Sequence, residues 1–440
     1  AEGTAAFESS EQKKLGKPAH PDRHFPTKQE GYDKFNSYSH YRANFDVVRA
    51  FVDNSADTID FLKDLGVEYK TVTIAAYDDP NEVWTFHLPD GLGARVQELL
   101  LSAVEHAGVD IFTETPATEL IIEDGKVVGV VAESEGEPLR VGGKAVVLAT
   151  GGMGSNPELI AKYSWFAPSA YNMNTLTPLQ NMGDGLMMAL SAGADDTNIV
   201  TCPILAAGAR DKAMDSHIGA AGVQPGAIWI NKTGRRFANE GTAENIGDIG
   251  PLYGKQPDGI VWSVLDQANI DRLAENGSEI SIGEFVVFGR PLDRLRMELD
   301  QDVADGVAFA ANTPEELAEK IGVSPENFAA TVAAYNEACA AGDDKEFFKQ
   351  EKYLRPLSIP PFYAVALATG TMGSAGGIRI NGNMQVVDKD YEPIPGLYAV
   401  GLDATGLYGD SYNMEVPGAA NGFAHTSGRI AGRHFAAQQA

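Results

Sequence analysis

The stretch of residues 376–432 constrains the fold more than any other part of the chain. It predicts a short buried strand, Leu397–Val400, which ends at Gly401, and then a loop that leads into a helix. That helix begins with the small residues of Pro417–Ala420, so a ligand can approach the backbone N–H groups of its first turn. These N–H groups carry partial positive charge, which favours a flat redox cofactor that gains negative charge on reduction.

The composition excludes several classes of function. A net charge of −27 argues against nucleic acid as a partner, because phosphate binding requires a surplus of lysine and arginine. No apolar run reaches the roughly 20 residues that a transmembrane helix needs, so no membrane span is expected. Two cysteines, Cys202 and Cys339, are too few for a disulfide framework or a cysteine-ligated iron–sulfur cluster within this chain. The eight histidines show no HExxH pattern, so no metal site is expected.

A series of regular elements precedes the C-terminal stretch. Apolar periodicity predicts a helix over Phe45–Leu65 and a second helix between residues 91 and 108. A β-hairpin that turns at an Asp-Gly pair is expected over Ala117–Val131. The buried strand Ala145–Ala149 then runs directly into Thr150-Gly151-Gly152, where glycines allow the backbone to approach a dinucleotide closely.

These segments, in this order, resemble a known family. The matching motifs are IPGLYAVG, a G-A-A-N-G-x-A-x-T-S-G-R-I-A-G helix, the earlier ATGG turn, a GDG helix near residue 185 and the RFANE sequence that ends at Glu240. They are similar to those of the fumarate reductase/succinate dehydrogenase flavoprotein family, which includes urocanate reductases and 3-ketosteroid dehydrogenases. The resemblance covers almost all of residues 1–440.

The resemblance implies an α/β fold with two domains. A Rossmann-like FAD-binding domain is expected over residues 1–154 and 357–440, with an α+β capping domain inserted at residues 155–356. The family's opening strand–GxGxxG–helix unit does not occur in the sequence, so the front βαβ unit is expected to be missing. That unit could have been cleaved or removed, or a separate polypeptide could supply it.

FAD is the cofactor that the resemblance implies. Residues 1–3 are similar to the family segment that passes flavin N5, and Asp403 corresponds to an acidic residue beside the ribityl chain. The first turn of the last helix corresponds to the segment that faces the pyrimidine end of the flavin. Asp184 is expected to cap the GDG helix. The expected cofactor-binding residues are Glu2, Gly3, Thr4, Thr150, Gly151, Gly152, Asp184, Met372, Gly373, Gly401, Asp403, Gly418, Ala419 and Ala420.

The substrate-binding positions depart from the family's pattern. Dicarboxylate-binding members carry a proton-donating arginine where this chain has Glu244, and a carboxylate-binding arginine where it has Glu415. The histidine pair of those members is replaced by Thr369 and Gly370. A carboxylate that faces a dicarboxylate substrate repels it strongly in a low-dielectric site. We therefore expect a neutral or cationic substrate, and we reject fumarate as the substrate.

Three side chains are candidates for catalysis. Glu244 or Glu415 could act as a general acid or base where burial raises its pKa towards neutrality, and each could equally be a solvated loop residue. Tyr412 could reach the site from the loop before the last helix, or it could serve in loop packing. The candidate substrate-binding residues are Glu240, Thr369, Gly370 and Tyr408.

The function that we expect is hydride transfer between flavin N5 and an activated C=C or C–C bond of a small molecule. One alternative is a 3-ketosteroid dehydrogenase-like enzyme, which would dehydrogenate a steroid stereospecifically. An alternative of another class is a flavin-free binding subunit that needs a partner chain to complete the FAD site. The sequence has no NAD(P)H fingerprint, so we expect the electron donor to be another protein or a small carrier. A cytoplasmic location is expected.

Overall fold

The computed structural model describes residues 2–76, 79–164, 171–172, 180–197, 199, 202–210, 212, 216–281, 286–409 and 412–439. The helices are α1 (Ser10–Leu15), α2 (Lys28–Tyr38), α3 (Phe45–Asp64), α4 (Leu92–His106), α5 (Pro157–Tyr163), α6 (Asp184–Ser191), α7 (His217–Gly222), α8 (Ile246–Gly254), α9 (Gln267–Asn276), α10 (Leu295–Ala304), α11 (Pro314–Ile321), α12 (Pro325–Ala341) and α13 (Ala419–Gln439). None of the helices in these ranges is long and apolar enough to cross a membrane.

The strands form several separate sheets. They are β1 (Thr4–Ala5), β2 (Tyr69–Thr73), β3 (Phe86–Pro89), β4 (Ala117–Glu123), β5 (Lys126–Ser134), β6 (Glu137–Gly142), β7 (Val146–Leu148), β8 (Tyr171–Asn172), β9 (Cys202–Ala209), β10 (Ile228–Asn231), β11 (Val261–Asp266), β12 (Ala308–Ala311), β13 (Phe362–Ala375), β14 (Ile378–Arg379), β15 (Gln385–Val387), β16 (Pro393–Ala399) and β17 (Ala404–Thr405). The mixture of helices and sheets confirms the expected α/β class.

The predicted elements are present with small differences in length. The helices α3 and α4, the hairpin β4–β5 and the strand β7 lie where apolar periodicity and the Asp-Gly pair predicted them. The last helix, α13, continues to Gln439, although the sequence predicted its end near Gly432. Gly432 keeps a helical backbone, because a glycine ends a helix only where the chain turns into the left-handed region.

The two strands that lead to the candidate site are parallel neighbours. Strand β16 pairs with β7 in the register Leu397 to Val146 and Ala399 to Leu148, so the carboxyl ends of both strands lie at the same edge of the sheet. Leu397 and Leu148 are buried in the largest hydrophobic core, as expected for strands whose apolar residues follow one another without alternation. Phe51 of α3 and Phe423 of α13 meet edge to face in the same core, with ring centroids 5.9 Å apart.

The capping domain is built on a six-stranded sheet. Its long strand β13 pairs with β9, β11 and β12 antiparallel and with β8 parallel, while β10 extends the sheet through β11. Three hydrophobic cores lie around this sheet and contain residues between Ala209 and Leu367. The end of β13 leaves these cores, because Ala375 is buried in the core that surrounds β7 and β16.

The cores favour domain boundaries that differ from the predicted ones. Ile160 of α5 and Leu186 of α6 are buried in the core that surrounds β7 and β16, although the sequence assigned residues 155–356 to the capping domain. A helix can lie outside the strand order of a domain and still pack on its core. We propose boundaries near residues 200 and 370 in place of the predicted ones.

Gly396 should be essential for the turn of β16 against β5. Its φ is +78°, and a Cβ atom added there would collide with the carbonyl oxygen of Val127. Gly125 has nearly the same φ, +76°, but a Cβ there would meet nothing within 4 Å. Both Gly→Ala changes carry about 1–2 kcal/mol of left-handed backbone strain. We expect Gly396→Ala to lower the free energy of unfolding by about 1–3 kcal/mol more than Gly125→Ala, because of the collision. Urea titration of the two variants measures this difference, and equal losses would contradict it.

Candidate active site

The turn after β7 is held by a single buried carboxylate. Asp403 accepts hydrogen bonds from the backbone N–H groups of Thr150 and Gly152, the latter at 2.9 Å, and from the Thr150 hydroxyl at 2.9 and 3.0 Å. Gly151 and Gly152 both lie in the left-handed region, with φ of +87° and +81°. Burial raises the pKa of the Asp403 carboxyl, while the hydrogen bonds from the turn lower it. The hydrogen bonds therefore give Asp403 a structural role, which is to hold the glycine turn in place. Contact with the ribityl chain of a flavin would be a second role.

Other residues predicted to bind the cofactor lie around this carboxylate. Gly373 lies where the pairing of β13 with β9 is interrupted. It also lies beside Leu402, because a Cβ atom added at Gly373 would be 2.8 Å from the Leu402 side chain. Met372 precedes it on the same strand. Gly401 has a φ of +60° and donates its N–H to the Ser427 hydroxyl of α13 at 3.0 Å.

The expectation that Asp184 caps the GDG helix is wrong. Asp184 is the first residue of α6 and is exposed, whereas Gly183, in the left-handed region at φ +91°, occupies the capping position. Gly185 donates its N–H to the Thr150 hydroxyl at 3.1 Å. A Cβ at Gly185 would come within 3.0 Å of Asp403 Oδ2, so this glycine lets the start of α6 approach the carboxylate.

The start of α13 meets the first strand of the chain. Ala5 donates its N–H to the Gly418 carbonyl at 3.0 Å, and the Asn421 amide donates to the Gly3 carbonyl and to the Thr4 hydroxyl, both at 3.0 Å. Gly418 has a φ of +80°, and a Cβ there would lie 2.8 Å from Ala5 N. Glycine is therefore required for β1 to run this close to the helix, and Glu2 precedes the same segment.

Two tyrosines lie beside the first turn of α13. Ala420, which follows the buried Ala419, donates its N–H to the Tyr412 hydroxyl at 3.4 Å. Tyr412 in turn packs on Tyr408, with ring centroids 5.0 Å apart. Tyr408 is buried and also contacts Phe35 of α2. The structure thus brings Tyr412 to the predicted cofactor segment, while Tyr408 lies in the core behind it.

Glu415 lies in a group of charged side chains near the loop that precedes β3. Lys34 of α2 donates to the Glu415 carboxylate at 2.7 Å. Glu82, only 4% exposed, accepts the N–H groups of Ala75 and Ala76 at 2.7 and 3.0 Å. The pKa of Glu82 is raised to about 8, chiefly by burial. The neighbouring carboxylates of Asp79 and Glu415 contribute to this rise, and the two backbone hydrogen bonds oppose it.

The capping domain faces this group through α8. Burial raises the pKa of Asp248, and the nearby Glu415 and Asp79 carboxylates add to the effect. Glu244, one turn earlier, accepts hydrogen bonds from the Tyr353 hydroxyl at 2.5 Å and from Lys352 Nζ at 2.9 Å. Burial and the Glu244 carboxylate raise the pKa of Tyr353 to about 12. Glu244 and Glu415 are therefore both paired with a lysine rather than being isolated in solvent.

Glu240 lies inside the capping domain. Its carboxylate is fully buried, accepts from Arg236 Nε and Nη2 at 3.0 and 2.7 Å and from the Trp229 N–H at 3.1 Å, and lies 3.3 Å from Lys349 Nζ. Burial opposes ionisation, but the Lys349 and Arg236 charges hold the pKa of Glu240 below its ordinary value. These contacts correct the expectation that Glu240 binds substrate, because they leave it a role within the capping core.

The predicted substrate-binding pair on β13 lies where the capping sheet meets α8. Thr369 is buried and donates its hydroxyl hydrogen to the Gly250 carbonyl at 3.2 Å. Gly370 follows it and pairs with β8 and β9. Thr369 therefore joins β13 to α8, the helix that carries Asp248.

Sequence reasoning missed Lys34, Glu82 and Asn421. Asn421 lies in the G-A-A-N-G motif, so its position beside the strand β1 could have been expected. Lys34 and Glu82 carry no local signal, because their partners Glu415 and Ala75–Ala76 are identified only by the folded chain.

The residues present fit FAD. Ligands of open α/β sheets bind outside the carboxyl ends of parallel strands, and β7 and β16 end side by side at the turn of Thr150–Gly152 and at Gly401. The helix α13 has 21 residues and begins with small ones, so an electron-rich ring edge can approach the positive end of its dipole. The glycine turn and the start of α13 could therefore hold the cofactor.

Comparison with known proteins decides the family. Residues 1–416 match the family described as FAD binding domain. The chain belongs to this family. It is an FAD-dependent oxidoreductase of the fumarate reductase and ketosteroid dehydrogenase type.

Individual relatives agree with this assignment. The chain is 34% identical over 415 residues to a vinyl phenol reductase of Lactiplantibacillus plantarum, covering 91% of this chain and 82% of the relative. It is 29% identical over 392 residues to a probable fumarate reductase, Ifc3, of Shewanella frigidimarina, covering 89% of this chain but 61% of that protein. An open flavocytochrome c3 fumarate reductase superposes with a TM-score of 0.70 at 25% identity, covering 99% of this chain and 71% of that one.

The buried carboxyl of Glu82 should make stability depend on pH. Its pKa is raised in the folded protein from 4.5 to about 8, so the folded state binds this proton more tightly than the unfolded state does. The Glu82 contribution is therefore fully present below about pH 4.5 and is lost as the pH rises towards 8, at up to about 1.4 kcal/mol per pH unit.

Glu82→Gln removes this titration and keeps an oxygen that can accept one of the two backbone N–H groups. We expect the unfolding free energy of the variant, relative to the parent protein, to increase steadily between pH 5 and pH 8. Urea unfolding at intervals across this range measures it. A constant difference between the two proteins would show that Glu82 does not titrate there.

Proposed function

We propose that this enzyme reduces the activated C=C bond of a neutral aryl alkene, with a vinyl phenol as the first candidate substrate. The observation that supports this most directly is the pairing of Glu415 with Lys34 and of Glu244 with Lys352. At both positions where a dicarboxylate-binding relative would need an unpaired arginine, this chain has a carboxylate whose charge a lysine already balances. The relative that is 34% identical is named a vinyl phenol reductase.

The chain's own residues would hold the reactants and move the proton. The glycine turn would hold FAD, which would supply the hydride for one alkene carbon, and an acid of the chain would supply the proton to the neighbouring carbon. We assign the proton transfer to Glu244, because it lines a cavity at the domain junction and accepts a short hydrogen bond from Tyr353. Its carboxylate would first take a proton from the Lys352 ammonium with which it is paired, and would then pass that proton to the carbon. Replacement of the proton would come through the tyrosine and the exposed Lys352.

Binding of FAD also requires a site for its pyrophosphate, in addition to the residues already named. Among the described strands β7 lies at the edge of its sheet, and the Val147 side chain is 47% exposed there. We propose that a further parallel strand with a GxGxxG turn and helix pairs along β7 and covers Val147. Electrons would reach the flavin from another protein or a small carrier.

The first experiment is the visible absorption spectrum of the purified protein, with the released pigment identified by mass. Flavin reduced anaerobically with dithionite should then be reoxidised by 4-vinylphenol, with 4-ethylphenol as the product, and should not be reoxidised by fumarate. Preference for fumarate would contradict the proposal, because it would require cation groups that the paired lysines do not offer. A preparation that binds no FAD even together with a polypeptide that carries the GxGxxG unit would contradict it as well.

Replacing the proposed acid should separate binding from catalysis. We expect Glu244→Gln to lower kcat for 4-vinylphenol by about 100-fold or more, because an amide cannot donate the proton, with a smaller effect on KM. Glu415→Gln is the matched comparison, since it also removes a carboxylate paired with a lysine. A large loss in Glu415→Gln alone would move the role to Glu415, and full turnover in both variants would exclude a carboxylate acid.

A further inference from the structure

A cavity of about 470 Å³ lies where the loop before β3 approaches the capping domain. This volume is within the range of about 300–1,000 Å³ that is typical of small-molecule sites. The Ser281 hydroxyl spans the junction and donates to the Ala75 carbonyl at 3.3 Å. The lining residues that matter for the argument are Glu244, Arg272, Ser278, Glu279, Lys352 and Tyr353, and Ile280 and Phe288 add apolar surface.

The charged side chains of this cavity balance one another. Arg272 Nη1 lies 3.1 Å from the Glu279 carboxylate, which also accepts from Arg355 at 3.2 Å and from the Gly226 N–H at 3.1 Å. Lys352 Nζ lies 2.9 Å from Glu244. The lining therefore contains two carboxylates and two cations, each already in an ion pair. An ionic ligand would have to break one of these pairs, so the cavity favours a neutral one.

Two buried polar atoms of the lining have no hydrogen-bond partner among the described residues. The first is the hydroxyl oxygen of Ser278, a residue that is 3% exposed, and the second is Arg272 Nε. The backbone of Ser278 is satisfied, because its N–H donates to the Arg290 carbonyl and its carbonyl accepts from the Gly289 N–H at 2.9 Å. An unpaired buried hydroxyl costs about 1–3 kcal/mol, so a ligand that pairs with it recovers part of this cost.

We propose that this cavity binds the hydroxyl group of a neutral phenol, with Ser278 as the residue that selects it. A phenolic hydroxyl can donate a hydrogen bond to Ser278 Oγ, and its oxygen can accept one from Arg272 Nε–H. The aromatic ring then lies against Phe288, Ile280 and Tyr353. This inference rests on the proposed function, since it names the group by which that enzyme would recognise its substrate, and it places this group in the cavity that Glu244 lines.

The test uses 4-ethylphenol, which has no reducible alkene, and 4-ethylanisole, in which a methyl group replaces the hydroxyl hydrogen. Calorimetric titration of the full chain should show about tenfold tighter binding of the phenol, as one net hydrogen bond implies. Ser278→Ala should bind 4-ethylphenol and 4-ethylanisole with about equal affinity. It should not lower the melting temperature, because the hydroxyl that it removes has no hydrogen-bond partner among the described residues. Ser281→Ala is the matched control, since its hydroxyl is already bonded to Ala75, and the preference should remain.

Each outcome supports or overturns the inference independently of the proposed function. The inference is overturned if the parent protein and Ser278→Ala prefer 4-ethylphenol over 4-ethylanisole by the same factor. It is also overturned if 4-ethylphenol does not bind at all. Both conclusions hold even where 4-vinylphenol is reduced. A preference that Ser278→Ala abolishes supports the inference even where 4-vinylphenol is not reduced, and in that case only the proposed reaction fails. If Ser281→Ala abolishes the preference as Ser278→Ala does, general damage to the junction explains both results and the inference is overturned.

Discussion

The buried carboxylate of Asp403 is the interaction on which the arrangement of the site depends. It joins the ends of two parallel strands, because it lies just after β16 and accepts hydrogen bonds from the turn that follows β7. Gly185 brings the start of α6 to the same carboxylate, and Gly401 ties the end of β16 to α13. A carboxylate can accept several hydrogen bonds at once, so one side chain holds a turn made of residues with little conformational preference.

The second constraint is the pairing of charges between distant segments. Glu415 is neutralised by Lys34 of α2, and Glu244 by Lys352 of the capping domain. These pairs remove the charge that would otherwise attract or repel an ionic substrate. At each of the two positions the carboxylate is therefore paired with a lysine, and the proposal of a neutral substrate rests on this pairing. The cavity beside Glu244 follows the same pattern, because its ionic side chains are paired. Among the described residues, the atoms of its lining that lack a hydrogen-bond partner are a hydroxyl and one guanidinium N–H.

Local patterns predicted the elements well where a residue's role is local. The helix α3 and the hairpin β4–β5 follow from apolar spacing and from an Asp-Gly turn, and both depend on neighbours in sequence. Prediction failed where a residue's partners are distant. Asp184 has the usual identity of a helix cap, but the left-handed Gly183 takes that position. Glu240 lies in a recognisable motif, yet its partners Arg236 and Lys349 place it in the capping core. The helix α6 packs on the FAD-binding core because its apolar face fits there, and composition carries no such information.

By itself, the sequence determined the α/β class, the family and FAD as the cofactor, because these depend on short segments whose glycines and apolar runs permit few alternatives. It also identified Glu244 and Glu415 as the positions where this chain differs from dicarboxylate-binding relatives. Only the tertiary structure decided what those carboxylates contact. Lys34 and Glu415 are 381 residues apart, and the hydroxyl of Ser278 has no hydrogen-bond partner in the part of the chain that the structure describes. Charge balance and hydrogen-bond satisfaction depend on distances of about 3 Å between side chains, and such distances exist only once the chain is folded.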